Sequence, residues 1–202
     1  KICQSGLGTK IHKASAPKLG IMFEQVIETL LTVLVQNKEA WTVRNSGDIF
    51  VPDTFGLKDL AEPQELDINI LDLKEKAQTE YSKYQADIKE LLAPYAFSRI
   101  HEMFEVEVFD LTILLWTQVF YSLVYRYDIS KSSKERKKII NSLKPLYFAR
   151  SLSFNYHTWK YNVKYSEMEI RKSALGFASQ KYYLWGLYSQ GNHLKQDNTE
   201  KN

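Results

Sequence analysis

Two lysines flank a single histidine in "LGTKIHKASAPKLGIMFEQV", residues 7–26, just ahead of a helix start. Lys10 and Lys13 bring ammonium groups and His12 brings an imidazole. Ser15 is an N-cap type, and Pro17 suits a first helical turn, where its missing N–H costs nothing. Cations beside the unpaired N–H groups of a helix N-terminus make an anion site of the kind that holds a phosphate or diphosphate. A neutral imidazole next to it can ligate the divalent cation that accompanies a diphosphate. One histidine does not hold a metal alone, and the chain has neither an Asp-x-Asp pair nor a His-x-x-x-His. Without its neighbours, His12 reads as a polar surface residue; the basic corner is what gives it a use.

Arg150 is the second candidate. It sits in "PLYFARSLSF", an apolar and aromatic run, so its guanidinium must find an anionic or a carbonyl partner. Substrate is one such partner. An ion pair with an acid among Glu102, Glu105, Glu107 and Asp110 is another. The run "KERKK", 134–138, reads as a solvated helix face, because Glu135 interrupts it and Ile139, Ile140 and Leu143 follow at inward spacing. His101, His157 and His193 have no companions at ligand or triad spacing, and Cys3 has no activating base beside it. No glycine-rich phosphate loop is present.

The elements that must position these groups read as helices. The 202 residues are 44% hydrophobic and 25% charged, with only 8 Gly and 5 Pro, a composition for one helix-rich domain. Helical spacing runs through Leu19, Met22, Phe23, Val26, Ile27, Leu30, Leu31 and Leu34, predicting a helix with a broad buried face. A narrow stripe of Leu66, Ile70, Leu73, Ala77, Tyr81, Tyr84, Ile88 and Leu91 predicts a hairpin helix that Pro94 ends. Residues 99–127 predict one central apolar helix with its acids at the N-terminal end, where they suit the dipole. Residues 130–144 predict a basic helix that Pro145 breaks, and 166–188 a last, aromatic one. Residues 1–14 read as strand or loop, and 43–65 as a long connection.

A net charge of +3 is too small to argue for nucleic acid. The best span candidate, residues 111–125 between Asp110 and Arg126, is shorter than the roughly 20 apolar residues a crossing needs. Lys1 to Lys13 lacks the apolar core of a secretory signal, and a lone Cys3 fits a reducing, cytoplasmic setting. The chain opens on Lys1 without a Met, as the C-terminal part of a longer polypeptide would.

The segment "CQSGLGTKIHKASAPKLGIMFEQVIETLL", residues 3–31, resembles the stretch in which the glucosylglycerate, mannosylglycerate and glucosyl-3-phosphoglycerate synthases leave their catalytic domain. "VPDTFG" (51–56) and "EPQELDINI" (62–70) are similar to the linker that follows, and Trp116 with "LKPLYFARSLSF" (143–154) to the helical C-terminal part. Ala149 stands where that family has a Gly before the Arg. The resemblance implies a retaining, family 2-like glycosyltransferase with a GT-A catalytic domain. It would move a sugar from a nucleotide-sugar donor to a glycerate-type acceptor, with Mg2+ or Mn2+. It gives His12 the metal-ligand role and puts Lys10 near the donor diphosphate; Lys13 is added from local charge, and Arg150 as a substrate contact.

The expected organisation is mainly α. Residues 1–17 would be the strand and loop remnant of the α/β catalytic domain, 18–190 a helical C-terminal domain, and 191–202 a disordered tail. The family's nucleotide-binding units and Asp-x-Asp lie upstream of the His segment, so transfer is expected to require that N-terminal domain. A homodimer is expected through the aromatic helix, with no nucleic-acid partner and no membrane span. The competing expectation is a non-catalytic all-α module for protein interaction or dimerisation.

Overall fold

The computed structural model describes residues 19–38, 69–159 and 164–199. Within them the fold is mainly α, and every regular element is a helix. They are α1 (Leu19–Gln36), α2 (Ile70–Leu91), α3 (Pro94–Glu105), α4 (Ile113–Ile129), α5 (Ser133–Trp159), α6 (Lys164–Ser179) and α7 (Lys181–Thr199). The loop with Lys10, His12 and Lys13, the expected strand remnant and the connection at 43–65 lie outside the described residues.

The helix starts follow side-chain chemistry. The Asn69 side chain accepts from the N–H groups of Leu71 and Asp72 at 3.0 and 3.3 Å and opens α2. Pro94 stands in the first turn of α3, and Thr112 Oγ1 accepts from the Leu115 N–H at the start of α4. At α5 the cap is reciprocal. Ser132 Oγ accepts from the Glu135 N–H, while Glu135 returns a carboxylate oxygen to the N–H groups of Lys131 and Ser132. The glutamate inside "KERKK" is therefore a capping residue.

Helix α4 packs against each of the other described helices and forms the axis of the bundle. Val119, Leu123 and Val124 on it are almost fully buried, as are Leu143 and Leu146 of α5. The longest seam joins α2 to α5. It is antiparallel: Lys144 Nζ meets Glu80 at 3.3 Å, and Lys138 Nζ meets Asp87 at 3.2 Å and Glu90 at 2.6 Å. The hairpin stripe of α2 is seen in its buried residues Ala77, Tyr81, Ile88 and Leu91. Tyr81 lies flat on Phe104 of α3, with ring centroids 3.9 Å apart. No helix among the described residues is long and apolar enough to cross a membrane.

Four expectations need correction. Residues 99–127 are not one helix: α3 stops at Glu105 and α4 starts at Ile113. Glu107 takes the left-handed φ of 54° in between, so Glu102 and Glu105 end α3 instead of opening the central helix. Pro145 does not break its helix; α5 runs through it for 27 residues. An interior proline costs about 3 kcal/mol. Here the buried Ile139, Ile140 and Leu143 before it and Leu146, Phe148 and Leu152 after it supply more than that. The last helix is interrupted at Gln180, whose side-chain Nε2 donates to the Leu114 carbonyl at 3.3 Å. Helix α7 then runs on to Thr199, through most of the stretch read as a polar tail. Finally, of the described side chains of α1, Phe23, Ile27 and Leu31 are buried and Leu34 and Val35 half-buried, while Met22, Val26, Leu30 and Val33 are exposed.

Close packing and ion pairing make three outcomes testable. A Cβ on Gly176 would overlap Ile113 Cγ2, where α6 crosses α4. Gly176→Ala should therefore destabilise by about 1–3 kcal/mol in a urea titration despite alanine's better helix propensity, and Ile113→Ala should recover part of the loss. The Ser142 hydroxyl is fully buried without a hydrogen-bond partner among the described residues. Ser142→Ala should raise stability by about 1 kcal/mol, read as a higher melting temperature. Burial pushes the Glu80 carboxyl up, but Lys83 and Lys144 outweigh it and hold its pKa below the usual value. Its contribution is complete above the unfolded glutamate pKa and is lost as pH falls through the lower folded value. Glu80→Gln should flatten the fall in unfolding free energy between about pH 5 and 3.

Candidate functional site

Arg150 is the sequence candidate that the described residues include. Two positions one helical turn apart on α5, Arg150 and Ser153, face the backbone that leads into α4. Terminal nitrogen Nη1 of Arg150 donates to the Leu111 carbonyl at 3.1 Å, and Nη2 donates to Ser173 Oγ of α6 at 3.1 Å. Ser153 Oγ accepts from the Leu111 N–H at 2.8 Å. Its own hydroxyl proton faces two carbonyls, Phe109 at 3.0 Å and Ala149 at 2.9 Å, and serves one at a time. Both backbone polar groups of Leu111 are thus satisfied by α5 side chains.

The corner is dry. Leu111 and Ser153 are essentially inaccessible and Arg150 is 9% exposed. Burial pushes the Arg150 guanidinium's pKa down, while the carboxylates of Glu169 and Asp110 push it back up. Glu169 is itself buried on α6 and pairs with Lys172 at 3.0 Å. Of the partners the sequence leaves open, Arg150 takes a carbonyl, with Asp110 as a nearby charge. Two of the other acids have their own cations: Arg99 holds Glu102 and Lys74 holds Glu107, each at 2.6 Å. Chemically the arrangement is a clamp that joins α4, α5 and α6 around one loop. Lys10, His12 and Lys13 lie outside the described residues, so no two sequence candidates are brought together within them.

Two further clusters carry polar or apolar character that the sequence reading passed over. His101 of α3 faces α2, with Nδ1 3.2 Å from both the Tyr81 hydroxyl and Gln85 Nε2, and 3.8 Å from Glu105. Its ring stacks on Phe97. Burial, with the Glu105 charge, pushes the Tyr81 phenol up to about 12. These contacts fasten the α2–α3 hairpin. The signal was available: Tyr81 and Gln85 are four apart, on one face of α2. The second cluster is a shallow apolar groove lined by Leu34, Phe120, Tyr121, Val124, Phe177 and Lys181. The Tyr121 hydroxyl is already used, donating to the Phe177 carbonyl at 2.6 Å, and burial pushes its pKa up to about 12. Among the described residues no three of His, Cys, Asp and Glu gather as a metal site would require.

The clamp can be broken with one substitution. Arg150→Met keeps the apolar stem but leaves the Leu111 carbonyl and Ser173 without their donor, beside two carboxylates. A loss of about 2–4 kcal/mol in unfolding free energy is expected, measured by denaturant midpoint at constant slope. A loss below the error of that measurement would mean that the clamp does not hold the loop.

No family model, no curated protein and no solved structure matches the chain.

Proposed function

We propose that the chain is the helical C-terminal portion of a retaining glycosyltransferase that moves a sugar from a nucleotide-sugar donor to a glycerate-type acceptor. The observation that carries this reading is the run of residues 3–31, with Lys10, His12 and Lys13 placed directly before the helix that starts at Leu19. Phe23, Ile27 and Leu31 seat that helix in the core. In this reading Lys10 and Lys13 neutralise the donor diphosphate, and His12 offers a neutral imidazole to Mg2+ or Mn2+. When bound, the metal would offset charge on the departing nucleoside diphosphate. In the same reading the remaining metal ligands come from an Asp-x-Asp-bearing domain, and turnover depends on that domain.

Arg150 acts here at one remove, by holding the loop into α4. A homodimer in the cytoplasm completes the reading, with the exposed Met168, Ile170, Leu175, Tyr182 and Trp185 of α6 and α7 as its contact. The same residues, with the exposed row on α1, favour the second reading, a non-catalytic interaction module. The two separate on ligand binding.

The test uses a polypeptide that carries the Asp-x-Asp domain together with this chain. Mn2+ is titrated in the presence of a nucleoside diphosphate, for the parent protein and for His12→Ala. The variant should bind the metal at least tenfold more weakly with its melting temperature unchanged. Equal affinity in the two proteins would overturn the ligand role, and absence of binding in both would favour the interaction module.

A further inference from the structure

We draw no further inference here: the strongest candidate, the exposed apolar row of Met22, Val26, Leu30 and Val33 on α1, is an unpartnered helix face, and nothing in the structure shows what covers it.

Discussion

The two hydrogen bonds that α5 makes to the backbone of Leu111 are the constraint on which the arrangement of helices rests. The chain leaves α3 at Glu105 and enters α4 at Ile113, and the connection is buried at its far end, at Leu111. Leu111 is buried where the chain has no ladder of its own, so its N–H and C=O groups need side-chain partners. Arg150 and Ser153 provide them, and Ser173 ties the same guanidinium to α6. Helix α4 touches every other described helix, so the point that fixes its start also fixes the bundle. The left-handed backbone at Glu107, a conformation that L residues disfavour, belongs to this connection.

Much of the architecture is legible in the sequence because it depends on local rules. The α2 stripe, the end of that helix before Pro94 and the apolar α4 all follow from spacing and breakers. What was not legible depends on partners far along the chain. Leu111, at the end of the break at 106–112, is held by residues some forty positions downstream, and no local glycine or proline announces the break. Pro145 is the reverse case, a local breaker overruled by burial along α2. The capping box at Ser132 and Glu135 was in plain view, but it lies inside a run that draws attention by its charge.

The candidate site divides along the same line. That Arg150 needs a carbonyl or an anion followed from its apolar neighbours; which one it takes required knowing that α4 begins against α5. Ser173 and Glu169 meet it from α6, a helix whose register no local pattern linked to position 150. Gly176 gives the same lesson in steric form: only the crossing with Ile113 explains why a residue without a side chain sits in mid-helix.

The α2–α5 seam has a consequence for how the bundle assembles. Its two strips belong to helices separated by all of α3 and α4, so the largest contact in the fold is a non-local one. Little of its free energy is available until that intervening chain has been looped back, and the closing entropy precedes the reward. Ordering α3 and α4 shortens the loop that remains to be closed, which ties the seam to the rest of the bundle.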